Sequence, residues 1–148
     1  MLANDLMSRD PAVIPATATL QAAAALMLTR GVGMLPVVDH VLHRELLGVI
    51  TDRDLVLRQL ALGHGAVAKV HEHMTRAPLA TVTGSASLSE VGALLKHHKV
   101  RRLPVVDEEG CVQGVIGLTD LARMGSPEAL ALVGAVMEHL STPGALAT

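Results

Sequence analysis

The sequence predicts an α/β (α+β) fold: two tandem copies of one strand-helix-strand-strand-helix unit, followed by a C-terminal helix. The first observation behind this is an internal repeat. Leu35-Pro36-Val37-Val38-Asp39 recurs 68 residues later as Leu103-Pro104-Val105-Val106-Asp107. Met7 and Pro11 recur as Met74 and Pro78 after 67 residues, and Gly48-Val49-Ile50 recurs as Gly114-Val115-Ile116 after 66. A drift of two residues along so many ordered matches implies small loop changes within one shared fold. The second observation is periodicity, because in each copy short β-branched runs alternate with apolar residues at helical spacing. The third is length, since 148 residues suit one compact body with a real core.

Each copy opens on a short strand, at Val13-Ile14 and at Leu79 to Val82. Leu20, Ala23, Ala24 and Met27, and then Leu88, Val91, Leu94 and Leu95, are spaced as the inner face of a helix. Thr19 and Ser87 stand where an N-cap oxygen would satisfy first-turn amides, and Ser87 with Glu90 makes a capping box. These helices should stop near Gly31 and Lys99. The Ala22 to Ala25 run adds helix propensity and nothing more. Strands are expected at Leu35 to Val38 with Leu46 to Ile50, and at Leu103 to Val106 with Val112 to Ile116. Second helices should run from Asp52 to about Leu62 and from Leu118 to about Met124. Gly63-His64-Gly65-Ala66 reads as a hinge between copies. Ser126-Pro127-Glu128 carries a cap, a first-turn proline and an acid for the helix dipole. A helix to about Leu140 follows, with Leu130, Val133, Met137 and Leu140 on one face, then a frayed tail from Ser141. The expected division is 1–66, 67–125 and 126–148.

Composition narrows the function. Apolar residues make up 50% of the chain, but Leu20 to Leu28 and similar runs fall short of the ~20 residues a membrane span needs. The N-terminus lacks the basic start and apolar run of a secretory signal, so the cytoplasm is expected. One cysteine, Cys111, excludes a disulfide framework and a thiolate cage. A net charge of −2 gives no basic field for nucleic acid. The chain has no Phe, Tyr or Trp, so a planar ligand must be gripped by aliphatic side chains, Met or Arg.

The lead-in triplets Met7-Ser8-Arg9 and Met74-Thr75-Arg76, the two Leu-Pro-Val-Val-Asp strands, and Gly48 to Leu55 together resemble a cystathionine-β-synthase (CBS) pair, or Bateman module. The resemblance covers about Asp5 to Met124. It implies repeats related by a pseudo-twofold axis, with clefts between them that in many members bind AMP, ATP or related adenosyl ligands. It also implies that Thr51 and Asp54 contact ribose, and that Asp120 does so in the second copy, where Gly117 stands in place of the Thr or Ser. Arg102, with Arg101, matches the position that contacts phosphate, whereas the first copy has Gly33 and Met34 there. One site per chain is therefore expected to bind more strongly than the other.

Each candidate also has a structural reading. Thr51 to Asp54 is a capping box, and a helix start is at the same time a natural polar-ligand site. Lys96, His97, His98, Lys99, Arg101 and Arg102 could simply complement a helix C-terminus. Strand alternation puts Arg101 and Arg102 on opposite faces, so one at most faces a ligand. His71-x-His73 with His64 is a poor metal set, and no metal is expected. Cys111 is expected in a hairpin connection without basic or orienting neighbours, and no catalytic constellation is found.

The reading is thus a non-catalytic regulatory module that binds an adenine nucleotide, forms a homodimer through its second helices and acts on an unidentified protein target. The alternative is a structural or interaction protein with degenerate clefts. Neither nucleic acid nor membrane is an expected partner.

Overall fold

The computed structural model describes residues 1–76 and 79–141. Pro78, one of the repeat matches, and the tail beyond Ser141 lie outside the described residues. The chain forms two compact units. Of the described residues, the first comprises those within Pro11–Leu79 with Glu109–Val112, and the second Met1–Asp10, Ala80–Glu108 and 113–141.

In the first unit a four-stranded sheet has the order β2-β3-β4-β5: β2 Ile14–Pro15, β3 Met34–Val38, β4 Leu46–Thr51 and β5 Thr75–Arg76. The second unit repeats it as β6-β7-β8-β1: β6 Val82–Thr83, β7 Arg102–Val106, β8 Val112–Gly117 and β1 Ser8–Arg9. The parallel pairs β2/β3 and β6/β7 are joined by helices α2 (Leu20–Arg30) and α5 (Leu88–His98). Both helices begin and end as the sequence predicts. Thr19 Oγ1 accepts from the Ala22 amide at 3.1 Å, and Ser87 and Glu90 close their box at 3.2 and 2.7 Å. Gly31 and Lys99 adopt the left-handed conformation that stops each helix. Pro36 and Pro104 sit inside central strands, where a missing N–H is costly. The partners β2 and β6 begin pairing one residue later, at Val37 and Val105.

The lead-in triplets become the outer strands β1 and β5. Strand β1 pairs antiparallel with β8, so the chain's first residues complete the sheet built from the second sequence copy. Strand β5 pairs antiparallel with β4 of the first copy. Glycine makes this possible. A β-carbon on Gly48 would lie 2.6 Å from the Thr75 carbonyl oxygen and 2.8 Å from Met74 Sδ. One on Gly114 would lie 2.7 Å from both the Ser8 carbonyl oxygen and Met7 Sδ.

Each unit has its own aliphatic core. Leu20, Leu35, Val37, Ile50 and Val70 are fully buried in the first, and Val91, Leu95, Leu103, Val105, Ile116 and Leu121 in the second. Short helices not expected from the sequence, α1 (Ala3–Leu6) and α4 (Val70–His73), precede the two lead-in strands.

Two expectations are corrected. The helix expected from Asp52 to Leu62 is a single α-turn, α3 (Asp52–Asp54), that widens into a π-helix over Leu55–Leu60. In this geometry Arg58 Nη1 donates to the His73 carbonyl at 2.9 Å. The other second helix, α6 (Leu118–Met124), has the expected span. The C-terminal helix α7 (Pro127–Leu140) is capped by Ser126 as expected, and Val133 and Leu140 of the expected face pack against the core, but Leu130 and Met137 do not and the fully buried positions are others. Ala129 and Val136 are fully buried, whereas Leu130 and Met137 are 50% and 43% exposed. Close packing decides this, because Leu132 Cδ2 lies 2.7 Å from where a β-carbon on Gly92 would stand. The small residues Ala129 and Gly92 let α7 approach α5 in a way a Leu130 stripe could not. Helix α7 also packs on α6, so the apolar residues of α6 are covered. The π-helix keeps Val56, Leu57 and Leu60 exposed.

Gly48→Ala and Gly114→Ala should each cost about 1–3 kcal/mol through overpacking, whereas Gly134→Ala, with open space around it in α7, should be neutral or stabilising. Urea unfolding of the three variants checks this; unchanged stability in the first two would mean that the lead-in strands do not need the close approach.

Candidate functional site

Thr51 ends β4 and caps the following turn. Its Oγ1 accepts from the Asp54 amide at 3.1 Å, and Asp54 Oδ2 accepts from the Thr51 amide at 2.9 Å. The capping box expected as the structural reading is therefore formed, and Thr51 is almost wholly buried. Asp54 Oδ1 lies 3.5 Å from Arg58 Nε, and the Asp54 side chain keeps 14% of its surface exposed. A carboxylate has about four lone-pair positions, so Asp54 retains acceptor capacity beyond the cap.

The second copy makes half of this box. Asp120 Oδ2 accepts from the Gly117 amide at 2.8 Å, but glycine has no hydroxyl to return the bond. Asp120 Oδ1 lies 3.5 Å from Ser8 Oγ and 3.8 Å from Arg123 Nη1. Ser8 was not among the sequence candidates. Its signal was present in the repeat, where it aligns with Thr75 in the lead-in triplet.

Arg101 and Arg102 reach the same corner as Asp120. The Arg101 carbonyl accepts from the Leu118 amide at 3.0 Å, as the Gly33 carbonyl accepts from the Asp52 amide at 2.9 Å. Arg101 is exposed and Arg102 half-buried, as strand alternation implies. A β-carbon on Gly117 would lie 2.9 Å from the Arg101 carbonyl oxygen and 3.0 Å from Arg102 Cβ. In the first copy Thr51 occupies this place, paired across the ladder with Met34, which follows Gly33. Glycine at 117 is thus required by the close approach of the Arg101 and Arg102 backbone, whatever side chains those two positions carry. The five candidates divide between the units: Thr51 and Asp54 in the first, Arg101, Arg102 and Asp120 in the second.

Of the histidines, His64 Nδ1 and His73 Nε2 lie 3.1 Å apart, with His73 buried. The His71 backbone carbonyl accepts from Arg76 Nη2. The expectation that Cys111 lacks a basic or orienting neighbour is corrected, because His43 Nε2 lies 3.9 Å from Cys111 Sγ. The loop before β4 carries His43 and the hairpin turn before β8 carries Cys111, so only the folded chain brings them together. His43 Nδ1 contacts Asp39 Oδ2 at 2.6 Å. That hydrogen bond chiefly holds the Asp39 carboxyl below the usual carboxylate range, helped by the His40 and Glu45 amides and opposed by desolvation. Elsewhere, a shallow groove of about 500 Å³ runs beside β6 and α5 of the second unit; Thr81, Thr83, Ser85 and Glu90 line it, and none of the five candidates does. No helix among the described residues is long and apolar enough to cross a membrane.

Two sheets of this order, each ending in a helix start that carries an aspartate, define a tandem repeat module, and comparison with known proteins gives its family. The CBS domain family matches residues 3–60 and 67–126, so the chain belongs to the CBS domain family as a tandem pair. Hypoxic response protein 1 of Mycobacterium tuberculosis is 33% identical over 123 residues, 82% of each chain. The solved structure of Hypoxic Response Protein I with two coordinated zinc ions has a TM-score of 0.74, covering 83% of this chain and 98% of that one. CBSX2 in complex with AMP is 31% identical with a TM-score of 0.70, covering 84% and 95%. The CBS domain pair of MJ0100, in complex with 5-methylthioadenosine and S-adenosyl-L-methionine, is 25% identical with a TM-score of 0.75, covering 85% and 100%.

Restoring the sequence pattern with Gly117→Thr should destabilise the protein by about 1–3 kcal/mol, because the added atoms meet backbone. Adding Arg101→Gly and Arg102→Met, the residues of the first copy, should recover little of the loss, because the obstructing carbonyl and β-carbon remain. Denaturation of the single and triple variants is the check; a fully stable single variant would refute the steric account.

Proposed function

We propose that this chain is a non-catalytic regulatory module of the cytoplasm that binds an adenine nucleotide, AMP or ATP or a related adenosyl ligand. The observation that carries the proposal is the second-unit corner, where the Asp120 carboxylate caps the helix start whose Leu118 amide meets the Arg101 carbonyl, with the half-buried Arg102 next along the strand. An aspartate suits a ribose diol, and a guanidinium can grip phosphate bidentately. CBS relatives solved with AMP and with adenosyl ligands support that chemistry. In the first unit Thr51 and Asp54 offer the ribose half alone. Unequal occupancy follows, and the phosphate-bearing ligand favours the corner that holds both groups.

Asp120→Asn should weaken adenosine and AMP alike at the second-unit corner, because charge-assisted bonds worth ~1.5–3 kcal/mol are lost, whereas Asp54→Asn should weaken the first-unit site alone. Arg102→Ala should spare adenosine, weaken AMP and ATP about tenfold or more, and flatten the salt dependence of binding. Calorimetry with each ligand, run beside the melting temperature of each unliganded variant, makes the test. If the wild type binds none of AMP, ADP, ATP, NAD or S-adenosylmethionine at millimolar concentration, the nucleotide reading fails.

A second reading, an interaction protein acting through dimerisation, draws on a different observation. Val56, Leu57, Leu60 and Leu62 are 54%, 47%, 73% and 65% exposed on and just after the π-helix, an apolar patch of the kind that marks interfaces. We therefore expect a homodimer, with the unidentified protein target engaged elsewhere. Light scattering at micromolar concentration should give a dimer mass that Leu60→Asp reduces to the monomer; a monomeric wild type would count against this reading.

A further inference from the structure

Outside the candidate nucleotide corners, four side chains carrying carboxylate, imidazole and thiol groups meet in the first unit. Among the described residues, Asp39, His43 and Glu45 are the one group of three whose ligand atoms all lie within 4.8 Å of one another. Cys111 adds a sulfur 3.9 Å from His43 Nε2. Backbone pairing fixes this meeting: Leu46 donates to the Gly110 carbonyl at 3.0 Å and Val112 to the Arg44 carbonyl at 2.9 Å. Glu45 and Cys111 are thereby held as direct partners in an antiparallel bridge, where opposite side chains share a face.

We infer that His43, Cys111 and Glu45 form a binding site for a zinc-like divalent transition cation, with Asp39 orienting the imidazole from behind. The distances assign the roles. Two nitrogen or oxygen ligands of one tetrahedral zinc stand about 3.3 Å apart, and a nitrogen and a sulfur about 3.6 Å, from ordinary bond lengths. Asp39 and His43 Nδ1, at 2.6 Å, are too close to share an ion and form a hydrogen bond instead. That bond places the proton on Nδ1 and leaves the Nε2 lone pair on the side of Cys111, the carboxylate-histidine arrangement that supports metal ligands. The His43 to Cys111 separation needs to shorten by only a few tenths of an ångström. Two backbone amides, of His40 and Glu45, hold Asp39 Oδ1 at 2.7 and 2.9 Å, so the orienting carboxylate is itself fixed. A thiolate with an imidazole selects zinc, cobalt or nickel over magnesium or calcium. Asp39, His43 and Glu45 are exposed and Cys111 half-buried, so an ion reaches them directly.

Cobalt(II) titration of the tag-free, chelator-treated full chain tests the site, because a cobalt-thiolate bond gives a near-ultraviolet charge-transfer band and tetrahedral cobalt gives intense visible bands. The wild type should show both, and added zinc should bleach them. Cys111→Ser should abolish the charge-transfer band and weaken zinc at least tenfold, and His43→Ala should weaken it similarly. Asp39→Asn should keep the band while weakening zinc about 10–100-fold. Circular dichroism of each metal-free variant confirms that it folds. Absence of the band in the wild type overturns the inference, as does zinc affinity that survives Cys111→Ser and is lost instead in His73→Ala.

Discussion

A side chain at Gly48 would strike the carbonyl of Thr75, and one at Gly114 that of Ser8, so both sheets depend on two empty positions. The strands β5 and β1 approach there closely enough for Met74 and Met7 to lie over the glycines. Methionine suits that place, because an unbranched thioether fills an irregular gap without a strict rotamer. Sheet order follows from the contact, and so does the composition of the compact units. The first ten residues belong with β8, and Met74 to Arg76 belong with β4. The duplicated sequence and the folded unit are therefore different divisions of one chain. Chemistry follows as well, since the register that sets Ser8 opposite Val115 brings its hydroxyl within reach of Asp120.

A core without aromatic rings has to gain its burial from many small contacts, and the helices meet that demand by coming close. Fully burying a Val, Leu or Ile is worth about 1.5–3 kcal/mol, so each core rests on side chains such as Leu95, Leu103 and Ile116 together with backbone approach at alanine and glycine. Gly92 against Leu132 is the clearest instance. It draws α7 onto α5 and over α6, and it leaves the two copies unlike. The second helix of the second copy is covered from within its own unit, whereas the π-helix of the first keeps an apolar surface toward solvent.

What the sequence made legible was local. Caps at Thr19, Ser87 and Ser126, stops at Gly31 and Lys99, and the central strands express preferences that act within a few residues and formed as expected, whereas the opening strands expected at Val13-Ile14 and Leu79 to Val82 lie at Ile14–Pro15 and Val82–Thr83. The features that escaped depend on partners far along the chain. Two-residue strands at Ser8 and Thr75 have no periodicity to read, and their role exists only through β8 and β4. The face expected for α7 holds at Val133 and Leu140, but Ala129 and Val136 are buried in place of Leu130 and Met137, beside a close approach to Gly92 that no local pattern announces. His43 and Cys111 meet only because a bridge pairs their loops. At the candidate site, the box of Thr51 and Asp54 was legible as a cap, but the reason for Gly117 was not.

That reason changes how the departure in the second copy is understood. Read along the chain, Gly117 is a lost hydroxyl and hence a weakened site. Read across the ladder, it marks where the backbone opposite leaves no room for a β-carbon. The first copy places a threonine at the end of its strand against Gly33 and Met34, and the second places a glycine there against Arg101 and Arg102. In both corners the helix-start amide, of Asp52 or Leu118, reaches the carbonyl opposite at 2.9 or 3.0 Å, but in the second the strands come too close for a β-carbon at 117. Each keeps its aspartate. The copies have diverged on one frame, into a corner at Asp54 with a complete capping box beside Arg58 and a corner at Asp120 with half a box beside Ser8 and Arg123.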